Sequence, residues 1–453
     1  MRFASLLRDP SAFDTPEVGV VMHELAAELW PIPRSITGPG VRKTLEILKR
    51  EMDELSVESI PSGTQCFDWT IPEEWTIHEA HITDESGVRV VDFRDNNLHV
   101  VGYSVAVDER LDLEDLQGHL YSLPNQPDAI PYVTSYYSPR WGFCLTDTQR
   151  KSLRPGHYRA VICSELKPGV LNYGELILRG QTDQEILLST YICHPSMANN
   201  ELSGPVVTTA LATWLKSRKD RKYTYRILFI PETIGAIAYL SRNLQGMKEK
   251  TIAGYVITCV GDDRAYSYLP SRQGDSLADV AAAHVLHHHA PDYRRYSFLD
   301  RGSDERQYCS PGVDLPVASV MRTKYGEFPE YHTSLDNLHL VTPGGLAGGF
   351  RVYQRILQCL ESNCYPKIKV LCEPQLGRRG LYPTLSTKAS AGEVRSMLNL
   401  IAYSDGSLSL LQIAECLGQP MWELLPIIDR LVDHGLVEKV GPPESRKDCT
   451  ESF

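Results

Sequence analysis

Residues 186–204 read ILLSTYICHPSMANNELSG, and this stretch decides how the rest of the chain is interpreted. Its apolar run continues through Ile192 and breaks at His194-Pro195, and a helical pattern follows from Pro205 to about Lys216. That order predicts a buried strand, a polar loop and a helix. Ligands bind at the carboxyl ends of strands in open α/β sheets. His194 is therefore placed to hold a metal ion or to transfer protons.

Strand and helix patterns alternate after residue 185. The predicted strands are 186–193, 225–231, 253–260 and 315–321, and the predicted helices are 203–218, 234–247, 275–290 and 344–363. Alternation of this kind predicts an α/β fold with a mostly parallel sheet flanked by helices. Two further helices are predicted at 15–30 and 41–55.

Changes of pattern along the chain predict three domains. Residues 1–65 and 180–367 form the α/β domain, residues 66–179 an inserted β-rich subdomain, and residues 368–453 a linker and a winged helix-turn-helix. The segment TSYYSPRWGF, residues 134–143, could line a pocket, but we expect its aromatic side chains to form the subdomain core.

The C-terminal module carries predicted helices at 391–403, 408–417 and 421–435 and a strand at 436–440. Winged helices often bind DNA, but the acids Glu423, Asp429 and Asp433 would repel phosphates. We therefore expect no DNA binding and predict a docking or homo-oligomer role for this module. The polar residues at the C-terminus are expected to be disordered.

The bulk composition narrows the function classes. The formal net charge is −11, which gives no electrostatic reason to expect nucleic-acid binding. No apolar run reaches the ~18 residues of a membrane span, so no membrane partner is expected. Eleven scattered cysteines without a CxxC pair favour reduced thiols and a cytoplasmic location.

Polar clusters follow four successive predicted strands. They hold His194 with Asn200 and Glu201, then Glu232, then the segment 259–263, and then 330–337 with His332. Imidazoles and carboxylates are zinc ligands, and a glutamate that is not a ligand can serve as general base. The sequence therefore predicts a zinc site at this edge of the sheet.

Two loops are candidates for substrate binding. Loop 302–308 is densely polar and contains Glu305 and Arg306, whereas loop 31–40 (PIPRSITGPG) is rich in proline and glycine and carries Arg34. Arg34 is either an ordinary surface arginine or a clamp for a substrate anion, and the sequence leaves both open. The histidine run 287–289 is expected to be a solvated helix face.

Several sequence blocks resemble one family. They are PIPRSITGPGVR, TSYYSPRWGF, STYICHPSMANNELSG, FIPETIGAIAYL, GSDERQYCSPG and EYHTSLDN, and together they cover nearly all of residues 15–440. These blocks resemble bacterial aminopeptidase-like proteins with an inserted β domain and a C-terminal winged helix. More widely, the chain resembles the co-catalytic zinc aminopeptidases of metallopeptidase clan MH, which include leucyl aminopeptidases, glutamate carboxypeptidases and glutaminyl cyclases. That wider resemblance is carried by His194 with Asn200 to Gly204, Glu232 with Gly235, Ser303-Asp304 and Tyr331-His332-Thr333.

The resemblance implies roles for individual residues. His194 and His332 match metal ligands, and Glu232 matches the general base. Asn200 stands where those enzymes carry the aspartate that bridges two zinc ions, and Thr233 where they carry a ligand glutamate. A neutral amide cannot balance two adjacent dications, so we expect one zinc ion rather than two. Its third ligand is expected to be Asp262 or Glu201, with Asp262 favoured.

The sequence thus predicts a zinc-dependent, aminopeptidase-like hydrolase of an amide bond. The expected substrate is a small peptide or the amide of an amino acid or amino sugar, and the residues expected to position it are Arg34, Asn200, Glu305, Arg306 and Tyr331. The alternatives are a non-hydrolytic binding or regulatory protein and a single-zinc cyclotransferase resembling glutaminyl cyclase.

Overall fold

The computed structural model describes residues 3, 6, 10–381 and 388–442 of the chain. The strands β1 to β18 are, in order, Ser56–Pro61, Gln65–Cys66, Trp69–Thr70, Glu74–Thr83, Arg89–Asp92, Val107–Asp112, Leu120–Tyr121, Phe143–Cys144, His157–Lys167, Val170–Leu178, Glu185–Tyr191, Thr224–Ile230, Thr251–Val256, Ser267–Leu269, Arg294–Arg295, Val317–Met321, Tyr365–Ile368 and Val437–Val440. The C-terminal tail that was expected to be disordered begins at the end of the described residues, and 443–453 lie outside them.

The helices α1 to α12 are, in order, Glu17–Leu29, Pro39–Glu51, Leu113–Gln117, Asp147–Ser152, Ser203–Ser217, Ile234–Lys250, Leu277–His289, Glu305–Tyr308, Pro343–Ser362, Lys388–Tyr403, Leu410–Leu417 and Met421–Asp433. Short 3-10 turns lie at Pro10–Asp14, Asn97–His99, Phe298–Asp300 and Gly377–Arg379, and a π-helical turn at Ala198–Leu202. None of the described helices combines the length and apolar character needed to cross a bilayer.

A mixed eight-stranded sheet organises the larger part of the fold. Its strand order is β1-β10-β12-β11-β13-β16-β14-β15, and the four central strands β12, β11, β13 and β16 are parallel. These are the four strands predicted from the sequence. Strands β1, β10 and β14 join antiparallel, and the edge strand β15 pairs in parallel with β14, so the sheet is mixed on both sides of its parallel centre.

Strand β11 leads to the candidate site. All seven of its residues are buried, as expected for a parallel strand covered on both faces. The helix that follows packs close to the sheet at Gly204, where a Cβ would lie 2.3 Å from the carbonyl oxygen of Ile257. Only glycine allows this approach, and it draws the start of α5 toward the ends of the strands.

The predicted inserted subdomain contains its own antiparallel sheet, in the order β5-β4-β9-β6. Strand β10, which the predicted boundaries assigned to the subdomain, pairs instead with β1 and β12 in the main sheet. Leu171, Leu176 and Leu178 on this strand are buried.

The chain divides into two compact units. The first comprises residues 1–280 and 292–353, and the second comprises residues 281–291 and 354–453. The second unit contains α10, α11 and α12 and the antiparallel pair β17–β18, which is the arrangement of a winged helix.

Candidate active site

His194 lies three residues beyond the end of β11, and its ring is held through one of its two nitrogens. Its Nδ1 lies 2.8 Å from Oε2 of Glu201, which sits in the π-helical turn before α5. A carboxylate on one imidazole nitrogen fixes the ring and directs the other nitrogen outward, as is common for metal-binding histidines. The Nε2 of His194 lies 3.5 Å from Oε2 of Glu232.

Glu232 follows β12 immediately before a strained residue. Thr233 has φ of 63°, a left-handed conformation that is costly for a β-branched side chain. A hydrogen bond from the backbone N–H of Thr233 to Asp304 Oδ1, 2.7 Å long, holds this conformation. Ser196, Cys259 and His332 near the other strand ends also have positive φ. Strain of this kind persists where the surrounding structure fixes it, often at functional sites.

His332 is positioned by the inserted segment. The backbone N–H of Tyr132 donates to the carbonyl of His332 at 2.9 Å, and the Tyr132 ring lies 5.2 Å from the ring of His194 and 5.3 Å from that of His332. The two imidazole rings are 5.6 Å apart between centroids. Tyr331 stacks on His332 at 3.9 Å. The site thus brings together the two histidines and the glutamate that the sequence predicted.

A pocket of about 230 Å³ opens over His194 and Glu232. Its other lining residues are Ile36, Trp69, Tyr136, Tyr137, Cys193, Thr233 and Ile234. We expected the aromatic side chains of segment 134–143 to form the subdomain core, but Tyr136 and Tyr137 line this pocket. Phe143 is buried in the core, and Trp141 stacks on His119. The pocket combines an apolar wall with an imidazole and a carboxylate.

The buried position of the site shifts the pKa values of its groups. Burial raises the pKa of Glu232, and the neighbouring His194, Ser303 and Arg306 only partly offset this. Burial and the nearby His194 lower the pKa of His332 to about 3, so this imidazole is neutral at neutral pH. A neutral imidazole is the form that binds a metal ion.

The pKa of His194 is shifted in the opposite direction. Burial lowers it, but the Cys193 sulfur and the Glu201 carboxylate outweigh burial and raise the pKa well above its usual value. Burial raises the pKa of the Cys193 thiol to about 11, so this thiol is neutral at neutral pH. Glu201 is therefore the anion that favours a proton on His194 Nδ1, and a metal ion that binds Nε2 would displace the second proton of the ring.

Arg34 has neither of the two roles that the sequence left open. It is neither a surface residue nor a clamp at the pocket, because it is 1% exposed. Its guanidinium donates from Nη1 to the carbonyl of Leu29 at 2.7 Å and from Nε to the carbonyl of His194 at 3.0 Å. Its Nε also lies 3.7 Å from Oε1 of Glu201. Arg34 thus lies behind the site.

Asp262, the favoured third ligand, is engaged elsewhere. Its two carboxylate oxygens accept hydrogen bonds from Thr323, from the side chain of Asn199 and from the backbone N–H of Arg264, at 2.7–3.0 Å. Glu201, the other candidate, faces Nδ1 of His194 rather than the pocket. The set of ligands expected from the sequence is therefore not assembled.

The residues expected to bind substrate are distributed unevenly. Asn200 is buried and accepts a hydrogen bond from the Tyr191 hydroxyl at 3.1 Å. Glu305 is buried and accepts from the backbone of Gly302 and Ser303, which is a structural role. Arg306 is exposed and donates from Nη2 to Thr233 Oγ1 at 3.0 Å, which places it at the edge of the pocket.

Sequence reasoning missed two carboxylates near the site. Asp336 accepts the backbone N–H groups of Asn199 and Asn200 at 2.6 and 2.9 Å, and so holds the π-helical turn that carries Glu201. Asp304 anchors Thr233 and is completely buried. The one sequence signal for Asp336 is its place in the block EYHTSLDN. Local spacing does not show which backbone N–H groups will donate hydrogen bonds to a carboxylate.

A second histidine cluster lies in the C-terminal unit. His284 Nδ1 contacts a carboxylate oxygen of Glu415, and His288 lies close to both residues. The Nε2 of His284 accepts the backbone N–H of Met421 at 2.9 Å and so caps the first turn of α12. A neutral imidazole then carries its proton on Nδ1, so both nitrogens are occupied and His284 is not free to bind a metal. Of the run 287–289, His287 is exposed as expected, whereas His288 packs near Trp422.

Comparison with known proteins gives the family. A family model described as a domain of unknown function (DUF4910) matches residues 23–363, and a winged helix-turn-helix model matches residues 363–439. The chain belongs to the DUF4910 family. A Clostridium acetobutylicum protein named "putative polysaccharide biosynthesis protein with aminopeptidase-like domain" is 44% identical over 403 residues, which cover 88% of this chain and 92% of that protein.

Solved structures agree with this assignment. A crystal structure of a "putative peptidase" from Clostridium acetobutylicum has a TM-score of 0.90 at 40% identity, covering 96% of this chain and 99% of that chain. A zinc aminopeptidase from Bacillus subtilis has a TM-score of 0.55 at 10% identity, covering 75% of this chain and 93% of that chain. The second similarity shows that the fold is that of zinc aminopeptidases.

The imidazoles of His194 and His332 are chemically suited to hold a zinc ion, but the described ligand atoms of His194, His332 and Glu232 do not all lie within 4.8 Å of one another, as those of Cys193, His194 and Glu201 do. Glu232 Oε2 lies 3.5 Å from His194 Nε2, which places this carboxylate beside the nitrogen that faces the pocket, where a general base would stand. His332 supplies the second imidazole.

Proposed function

We propose that the protein is a zinc-dependent hydrolase that cleaves an amide bond with a single metal ion. The observation that carries the proposal is the pair His194 Nε2 and Glu232 Oε2, 3.5 Å apart on the floor of a pocket with an aromatic wall. The family assignment and the zinc aminopeptidase fold support the reaction class. The substrate class is a small peptide or the amide of an amino acid or amino sugar.

His194 and His332 would hold the ion, with Glu232 beside it. When bound, zinc would polarise the amide carbonyl and lower the pKa of a water molecule. Glu201 keeps the His194 ring turned toward the pocket through the contact at Nδ1. Tyr132 and Tyr331 keep the His332 ring beside it.

Glu232 performs the proton transfers. Its carboxylate accepts a proton from the attacking water and returns a proton to the leaving nitrogen as the C–N bond breaks. Burial raises its pKa, which makes the carboxylate a stronger base than an exposed one. Its side chain is still 21% exposed, so water and substrate can reach it.

The test is Glu232→Gln, with metal content and hydrolysis measured on the same preparations. Aminoacyl and N-acylaminoacyl coumarin amides serve as the substrate panel. We expect about one zinc ion per chain in both proteins and a loss of hydrolysis of at least ~100-fold in the variant. The matched control is Glu165→Gln, because Glu165 is a half-exposed glutamate paired with Lys167 away from the pocket.

Each outcome has a definite meaning. Zinc retained with activity lost identifies Glu232 as the base. Zinc lost together with activity makes Glu232 a ligand instead. Undiminished hydrolysis in the variant contradicts the role of Glu232 and with it the proposed mechanism. A wild-type protein with neither zinc nor hydrolysis contradicts the proposal and favours a binding protein on a peptidase fold, which the neutral residues Asn200 and Thr233 would then explain.

A further inference from the structure

The charges around the pocket restrict the substrate, provided the proposed hydrolase function holds. Its wall consists of Ile36, Trp69, Tyr136, Tyr137 and Ile234, and Glu232 is the one carboxylate among its described lining residues. The proposed reaction already uses that carboxylate. A substrate with a free amino terminus brings an ammonium group, which needs its own anionic partner once it leaves water.

The other carboxylates near the site either already have hydrogen-bond or ion-pair partners or are buried away from the pocket. Asp262 and Asp336 accept several hydrogen bonds each, and Glu201 is held between His194 and Arg34. One oxygen of Asp304 makes no hydrogen bond, but Asp304 is completely buried and does not line the pocket. No described carboxylate other than Glu232 is therefore placed to receive an ammonium group in the pocket.

The opposite charge is present at the edge of the pocket. Arg306 is exposed, and its guanidinium is tethered by Nε to the carbonyl of Ser303 and by Nη2 to the hydroxyl of Thr233, each at 3.0 Å. Within the described part of the chain, its Nη1 donates no hydrogen bond. A tethered guanidinium with spare N–H groups is well suited to bind a carboxylate, since its planar geometry matches two oxygens.

We propose that the site takes N-acylated amino acids, or short peptides with a blocked amino end, that carry a free carboxylate. The apolar part of the substrate packs against Trp69 and the two pocket tyrosines, and Arg306 binds the carboxylate. Water adds to the amide carbon and the C–N bond breaks, which yields a carboxylic acid and a free amino acid. The proton that the water gives up is transferred to the departing nitrogen.

Three probes that share the phenylalanine side chain separate the substrate classes. They are N-acetylphenylalanine, which is anionic, N-acetylphenylalaninamide, which is neutral, and phenylalaninamide, which is cationic. Binding is measured by calorimetry on the full-length, metal-depleted wild-type protein, so that turnover does not interfere and the Glu232 carboxylate stays in the pocket. We expect affinity to fall in the order anionic, neutral, cationic, with at least about tenfold between the first and second.

Arginine variants in the same background test the assignment to Arg306. Arg306→Met should weaken N-acetylphenylalanine about tenfold and leave N-acetylphenylalaninamide unchanged. Arg301→Met is the matched control, because Arg301 is an exposed arginine in the preceding turn that packs over Phe298, and its loss should change neither affinity.

The outcomes separate this inference from the proposed function. Tightest binding of phenylalaninamide, no binding of any probe, or an unchanged N-acetylphenylalanine affinity in Arg306→Met overturns the inference. Hydrolysis by the wild type restricted to substrates with a free amino group overturns it while leaving the hydrolase function intact. The expected order of binding without hydrolysis of any acylated substrate would support recognition and contradict the hydrolase function.

Discussion

Arg34 donates a hydrogen bond from its Nε to the backbone carbonyl of His194 at 3.0 Å, and the same nitrogen lies 3.7 Å from Glu201. One buried cation thereby contacts both the main chain of the histidine and the carboxylate that orients its ring. Through Leu29 it also ties them to the end of α1. Burial lowers the pKa of Arg34, and Glu201 offsets this, so the two charges stabilise each other in a place where either alone would be costly.

Replacing Arg34 by lysine should weaken zinc binding. Lysine keeps the charge but cannot place donors at Leu29 and His194 together, so the His194 loop and Glu201 lose their common anchor. We expect zinc affinity, measured by chelator competition, to fall about 10- to 100-fold, as for other changes behind metal ligands. Arg42→Lys is the control, because Arg42 pairs with Glu74 away from the pocket. Equal zinc affinity in Arg34→Lys and wild type would contradict this role.

The left-handed conformation of Thr233 should carry a measurable cost. At φ of 63°, glycine is unstrained whereas alanine is not. Thr233→Gly should therefore be more stable than Thr233→Ala by about 1 kcal/mol in urea unfolding. Both variants lack the hydroxyl that contacts Arg306, so the difference between their free energies of unfolding reports the backbone strain at this position. If alanine proves as stable as glycine at this position, the backbone there is not strained.

The sequence predicted the framework of the site better than its ligands. The four parallel strands were predicted because each is a short apolar run followed by polar residues, and that pattern also located His194, Glu232 and His332. Strand 253–260 was predicted four residues too long at its end, since Cys259 turns left-handed after β13. Apolar patterning does not record such a turn.

The partners of charged side chains could not be read from the sequence. Asp262 was favoured as a ligand because it follows a strand, but Thr323, which is distant in sequence, occupies it. The sequence left two exposed roles open for Arg34. The residue is instead buried, because Glu201 and two backbone carbonyls compensate its charge. Both outcomes depend on contacts, such as Asp262 with Thr323 and Arg34 with His194, between residues more than 60 positions apart, which local spacing does not encode.

The pair formed by Arg42 and Glu74 predicts a specific dependence of stability on pH. Arg42 donates two hydrogen bonds to Glu74, at 2.9 and 2.7 Å, and holds the pKa of Glu74 below its usual value. A carboxylate with a lowered folded-state pKa stabilises the protein above its unfolded pKa of ~4.3, and this contribution is lost as the pH falls through the folded value. Glu74→Gln should therefore cost about 1–3 kcal/mol at pH 7 and progressively less below pH ~4.3.

Unfolding by urea at several pH values tests this prediction. The free energies of wild type and Glu74→Gln should converge toward acid pH, because protonated glutamic acid and glutamine are both neutral. Glu165→Gln controls for the loss of one carboxylate at the surface, where Glu165 pairs with Lys167. A difference between wild type and Glu74→Gln that is constant from pH 7 to pH 3 would show that the ion pair does not cause it.

The two histidine clusters should respond differently to mutation. At His194 one nitrogen is fixed by Glu201 and the other faces the pocket, whereas at His284 both nitrogens are occupied, by Glu415 and by the backbone N–H of Met421. We therefore expect His194→Ala to abolish zinc binding and His284→Ala to leave the zinc content unchanged. His284→Ala should instead cost about 1 kcal/mol of stability, because the first turn of α12 loses its cap. Loss of zinc in His284→Ala, with zinc retained in His194→Ala, would place the metal in the C-terminal unit and contradict the assignment of the active site.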